Sequence, residues 1–126
     1  MNNNKTRPKH LNLFKIRMPV TAVASIAHRV SGVLLVMLIP VVVYLLQRSL
    51  HSEQSYDALM QLLTHPLAKM LLIIGIWAIS HHFFAGIRFL LIDVDIGILK
   101  ASARRSAWLV HALALICALW GVGIVL

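Results

Sequence analysis

The chain is 126 residues long, one domain by length, but 60% of its residues are hydrophobic and only 13% are charged. With a mean hydropathy of +0.83, this composition excludes an ordinary water-soluble domain and makes the membrane the first expectation. The formal net charge of +8 would suit nucleic acid, yet the positive residues flank apolar runs, which is the pattern of topology signals and not of a nucleic-acid-binding face.

Residues 1–18 hold Lys5, Arg7, Lys9, Lys15 and Arg17 with no acidic residue, and Pro8 and Pro19 break any long helix. A basic cytoplasmic arm is expected, its first residues held by anionic lipid. No small-residue cleavage pattern follows it, so it does not read as a cleavable signal. Pro19 suits the first position of a helix, where its missing N–H costs nothing. Over 30–47 there are 18 uncharged residues, close to the roughly 20 that cross the hydrocarbon, which places a first span at about 26–48. A helix counted from Pro19 would have about 29 residues and a length of about 43 Å, more than the bilayer core of about 30 Å. The turn at 25–29 then lies at or just inside one interface. Pro40 is expected to kink this helix by freeing the carbonyl of Val36.

Residues 48–65 are polar and read as a loop with one amphipathic turn around 57–63. Pro66 opens the second helix, with a span at 66–92. The 18 residues over 70–87 lack Asp, Glu, Lys and Arg but include His81 and His82. Residues 93–105 carry Asp93, Asp95, Lys100, Arg104 and Arg105, with Gly97 as a breaker, and read as the second loop. The third span is 106–126, where His111 is polar and Trp108 and Trp120 suit the interfacial belts. The single cysteine, Cys117, lies in this run. It excludes an internal disulfide and a multi-cysteine metal site, and a packed thiol is expected. The fold expected over 1–126 is an all-α integral membrane protein of three transmembrane helices, one transmembrane anchor domain in a bundle completed by a partner subunit. Ten of the 12 Lys and Arg residues fall on the side of the arm and second loop, against Arg48 and Lys69 on the other. The positive-inside rule therefore puts the N-terminus in the cytoplasm and the C-terminus outside.

The groups capable of chemistry lie on the first two helices. Ser25, His28, Arg29, Ser31 and Gly32 sit at the mouth of the first span, where an arginine must snorkel to water, pair with an anion or line a polar cavity. A plain interfacial anchor and a functional site both meet that condition. Ser25 and Arg29 are spaced i, i+4, as are His28 and Gly32, so these groups share one broad face, and Gly32 admits a helix or a flat ligand. His82 lies about 16 Å from the cytoplasmic edge by helical rise, near mid-membrane. A neutral imidazole there needs a metal, a haem iron or a hydrogen-bonding helix. Gly86, at i+4, leaves a space beside its ring of the kind a haem plate along a helix requires. Arg88, about 9 Å nearer the cytoplasm, could meet a propionate or snorkel. His81 points about 100° away from His82 and is expected to pack or bond a neighbouring helix. His10, His51 and His65 are expected to be solvated.

The motif Ser25-x-x-His28-Arg29-x-Ser31-Gly32 follows an Arg7-Pro8 arm, and His82-x-x-x-Gly86-Ile87-Arg88 precedes Asp93. Together they resemble the cytochrome b membrane-anchor subunits of bacterial succinate dehydrogenase, over nearly the whole chain. The resemblance implies that His82 is one axial ligand of a haem b whose second histidine comes from a partner hydrophobic anchor subunit; the residues alone also offer His111 as a within-chain alternative, which the resemblance disfavours. It implies that Ser25 and Arg29 line a ubiquinone site at the cytoplasmic interface, and that His28, Arg29 and Arg88 lie near the haem propionates. Electrons would come from an iron–sulfur subunit, itself fed by a flavoprotein subunit, in a complex of the bacterial inner membrane. This chain would hold no succinate site, no flavin and no nucleic acid, and would not be catalytic alone. The residue after Arg88, often histidine in the family, is Phe89, which removes an imidazole from the His82 face but leaves the iron ligand. Two alternatives are the anchor of a fumarate reductase and, in another class, a small cationic three-span pore or lysis protein. A pore has no use for His82 with Gly86 and Arg88.

Overall fold

The computed structural model describes residues 18–125. The basic arm expected over 1–18 lies outside these residues except for Met18. Four helices follow one another: α1 (Val20–His51), α2 (Glu53–Leu63), α3 (Pro66–Asp93) and α4 (Lys100–Val125). Of these, α1, α3 and α4 are long and apolar enough to cross a membrane. At 32, 28 and 26 residues they measure about 48, 42 and 39 Å, against a hydrocarbon core of about 30 Å. The protein is an all-α, multi-pass membrane protein. Its helices outrun the hydrophobic spans because hydropathy marks only the part in hydrocarbon, whereas the backbone ladder continues until a cap stops it.

Those caps are local. Pro19 is extended (φ −65°, ψ 151°) and stands at the N-cap, one place ahead of the first helical residue. Its carbonyl accepts from the N–H groups of Ala22 and Val23 at 2.9 and 3.2 Å. α1 runs through Pro40 to His51, where Ser52 turns the chain. Ser52 then caps α2 reciprocally with Ser55: each backbone N–H donates to the other's hydroxyl at 3.1 Å. This box makes a full helix where a loop with one turn was expected, because it satisfies the N-terminal donors and Leu59 is buried on the inner face. Pro66 is the first residue of α3, capped by His65 Nδ1, which accepts from the Leu67 N–H at 3.3 Å.

α3 ends in a Schellman motif. The Ile96 N–H reaches the Leu91 carbonyl at 2.8 Å and the Asp95 N–H reaches Ile92 at 3.0 Å. Asp95 takes the left-handed conformation (φ 61°), and Gly97 follows with φ 80°. α4 then starts at Lys100, six residues ahead of the expected span, which shortens the second loop to 94–99. Arg104 and Arg105 lie on its exposed surface, where a helix tolerates charge outside the hydrocarbon.

α3 packs against both α4 and α1. The contact with α4 is lined by small residues at three-, four- and seven-residue spacing, Ala78 and Ala85 on α3 and Ala107, Ala114, Ala118 and Gly121 on α4, whereas Gly75 faces α1, the position of its missing Cβ lying 3.6 Å from Leu38 Cδ1. Such side chains let two backbones approach closely. At Gly121 a Cβ would lie 2.6 Å from Ile76 Cδ1, so the approach there depends on glycine. α1 buries only Ala24 and Ser31. Val36, Met37 and Val43 project outward, a surface suited to lipid or to another apolar subunit and not to water.

Candidate functional site where α1 meets α3

His82 leaves α3 toward α1. Its Nδ1 lies 3.2 Å from the His28 carbonyl oxygen and 3.3 Å from Ser31 Oγ. Ser31 is fully buried, and its hydroxyl donates to the same His28 carbonyl at 2.8 Å. That commitment leaves the Ser31 oxygen a lone pair on the side of the ring. His82 Nδ1 therefore faces two acceptors, which favours the tautomer with the proton on Nδ1 and a bare lone pair on Nε2. A backbone carbonyl taking the second N–H is the usual support of a metal-bound histidine.

The walls of the site come from both helices. The His28 ring stacks on His82 with centroids 4.1 Å apart and planes 10° apart. Phe89 meets the His28 ring edge-on at 5.2 Å. Gly32 lies under the His82 ring, where an added Cβ would come within 3.0 Å of Cε1. Gly86 does not open onto empty space, because the position of its missing Cβ is 3.9 Å from His28 Nε2. His82 itself is half-buried.

Ser25 is half-buried and Arg29 exposed. Ser25, Arg29 and Gly32 form an i, i+4, i+7 row beside the row of Ala24, His28 and Ser31, in which Ala24 and Ser31 are buried and His28 is half-buried. The polar row thus runs along α1 for about 10 Å and ends at the His82 ring. Arg88 is not part of this group. It is 6% exposed and turns to α4, where Nε donates to Ser106 Oγ at 3.0 Å and Nη2 to the Ala103 carbonyl at 3.3 Å. Ser106 donates to the same carbonyl at 3.1 Å. The spacing explains the split: Arg88 is at i+7 from His81 and Phe89 at i+7 from His82, so each follows its own stripe.

His81 is fully buried, with Nε2 3.3 Å from His111 Nδ1. That gap is a hydrogen bond between the two rings. His111 faces His81 and not His82. Among the described residues no group of three His, Cys, Asp or Glu side chains could hold a bare metal ion. Sequence reasoning did not foresee Ser31 as the partner of His82, although its place at i+3 from His28 carries the signal. Cys117 is half-buried within α4.

Two comparisons bear on what this arrangement serves. The family model for the succinate dehydrogenase/fumarate reductase transmembrane subunit matches residues 3–121. The succinate dehydrogenase cytochrome b556 subunit of Coxiella burnetii (strain RSA 493 / Nine Mile phase I) is similar to the chain, with 38% identity over 114 residues, covering 90% of this chain and 91% of that protein.

Proposed function

The chain belongs to the succinate dehydrogenase/fumarate reductase transmembrane subunit family, and from that membership we propose how its residues serve cofactor and quinone. It is a membrane-anchor cytochrome b subunit of succinate dehydrogenase, part of an enzyme complex and not catalytic alone, and the cytochrome name of its relative implies haem b. His82 is the residue with which this chain would hold the haem iron. The observation that carries the assignment is the pair of acceptors on Nδ1, His28 O and Ser31 Oγ, which frees Nε2 for iron. Gly32 gives that ring its room. Haem b supplies one-electron storage between donor and quinone. The shallow contact of α1 with α3 supports a cradle completed by a second hydrophobic anchor subunit that provides the other histidine. His28 and Arg29 lie on the side suited to the propionates. Arg88 would reach one only from the α4 side, where two of its donors are already engaged.

Ser25 and Arg29 bind ubiquinone. Its ring enters from lipid, and its carbonyl oxygens need hydrogen-bond donors as two electrons and two protons arrive. The Ser25 hydroxyl and the Arg29 guanidinium supply donors one helical turn apart, and the permanent charge of Arg29 stabilises negative charge as it grows on a quinone oxygen. Losing one such donor in a site of reduced dielectric costs about 3 kcal/mol, or about a hundredfold in rate. Electrons arrive from the iron–sulfur subunit, fed by the flavoprotein, docked on the cytoplasmic face of the inner membrane. The ten-to-two distribution of Lys and Arg supports an N-terminus inside and a C-terminus outside.

In assembled complex, Ser25→Ala and Arg29→Leu are expected to slow ubiquinone reduction while sparing succinate oxidation with a soluble dye that accepts electrons ahead of the membrane. Wild-type ubiquinone reduction in both variants would reduce these residues to an interfacial anchor. A C-terminal alkaline phosphatase fusion should be active, and an inactive one reverses the orientation.

A further inference from the structure

We propose that His111 is a positioning residue for the iron-ligating imidazole: through its hydrogen bond to His81 it sets the rotation of α3 about its own axis and so aims His82. The proposal rests on His82 being the haem ligand. His81 and His82 are consecutive, so they project from α3 about 100° apart and turn together. His81 is locked between helices with no exposed surface, whereas His82 is half-buried and meets α1, which buries only two of its own side chains. Rotation of α3 must therefore be held mainly from the α4 side.

That side is a seam of alanine and glycine, which brings backbones close but does little to index rotation. Polar contacts cross it at two levels: His81 Nε2 to His111 Nδ1 at 3.3 Å, and Arg88, whose Nε donates to Ser106 Oγ at 3.0 Å and Nη2 to the Ala103 carbonyl at 3.3 Å. The histidine contact is at the level of the ligand, the arginine about 10 Å away along the axis. At the 5–6 Å outer radius of a helix, 10° of rotation moves an atom by about 1 Å. Such a shift would pull His82 Nδ1 out of reach of His28 O and Ser31 Oγ and turn the imidazole plane at the iron.

Stability alone does not account for this pair. Its outer nitrogens, His81 Nδ1 and His111 Nε2, are buried without a partner, a cost that two apolar side chains would avoid. A hydrogen bond holds one angle where apolar packing tolerates several. Trp77 and Trp108 flank the pair, their centroids 5.4 Å from His81 and 6.4 Å from His111.

The test is electron paramagnetic resonance of the oxidised low-spin haem in purified, fully assembled complex. The highest g value depends on imidazole orientation. His111→Leu should retain haem and shift that g value, as should the double variant His81→Leu/His111→Leu, which leaves no stranded partner. His111→Gln, whose carboxamide can still bond His81, should return it to the wild-type position. Wild-type g values in both leucine forms overturn the proposal, as does a glutamine form shifted as far as the leucine forms. If neither leucine form holds haem while the glutamine form does, the pair is a folding requirement and the positioning role also falls. His82→Leu in the same preparation separates the two levels: an unaltered haem signal there refutes the ligand itself, whatever His111 does.

Discussion

α3 shows two different faces to its neighbours. Against α4 it is closed, with small residues in contact, His81 without exposed surface and Arg88 held by Ser106 and Ala103. Against α1 it is open, with His82 half-buried, a ring-on-ring stack in place of interlocked packing, and a glycine beneath the ring. Two adjacent, identical residues thus have different work to do. One residue step of 100° makes a histidine either a bolt between helices or a ring with a free nitrogen, the proposed haem ligand, and the deciding factor is what faces it.

The strongest way to break this comparison is to remove each histidine in turn. His82→Leu should abolish or grossly alter the b-type spectrum of the purified complex. His81→Leu should keep a b-type spectrum but lower stability by about 1–3 kcal/mol, the cost of leaving a buried polar partner, here His111, without its bond. Thermal unfolding followed beside the visible spectrum reads both effects, and the reverse result exchanges the roles of the two faces.

The closed face can be tested apart from histidine. Ser106→Ala removes the acceptor of Arg88 Nε within a buried contact, so a loss of about 1–3 kcal/mol is expected with the haem signal retained. An unchanged thermal midpoint would mean that Arg88 finds another partner and that the seam is looser than its burial implies.

Two glycines sharpen the contrast with smaller effects. Gly32→Ala brings a Cβ to 3.0 Å from His82 Cε1, so the ring must yield by a few tenths of an ångström. A spectral shift is expected with a stability change under about 1 kcal/mol, since displacing one half-buried ring is mild overpacking. Gly121→Ala drives a Cβ to 2.6 Å from Ile76 Cδ1. It should cost about 1 kcal/mol as Ile76 rotates away, and should leave the haem signal alone. If both glycines affect the same observable, the two faces are not independent.

The spans were legible in the sequence because crossing hydrocarbon requires a long apolar run and nothing else in a chain this short produces three of them. The row of Ser25 and Arg29 and the separation of His81 from His82 were legible too, since angles along one helix follow from spacing. The helix over 53–63 was read only as one amphipathic turn around 57–63: its first turn is polar, and the serine box that satisfies the backbone donors there carries it back to Glu53. Nor was the early start of α4, because polar residues outside the membrane can stay helical. Arg88 was grouped with His28 and Arg29 by depth, and only the packed structure assigns it to α4. The cause is general to helical membrane proteins. Sequence determines which residues share a stripe, but which stripe meets which neighbour depends on where small residues allow backbones to close. Here Ala78 and Ala85 let α3 close on α4, which turns His81 and Arg88 inward and leaves His82 to α1.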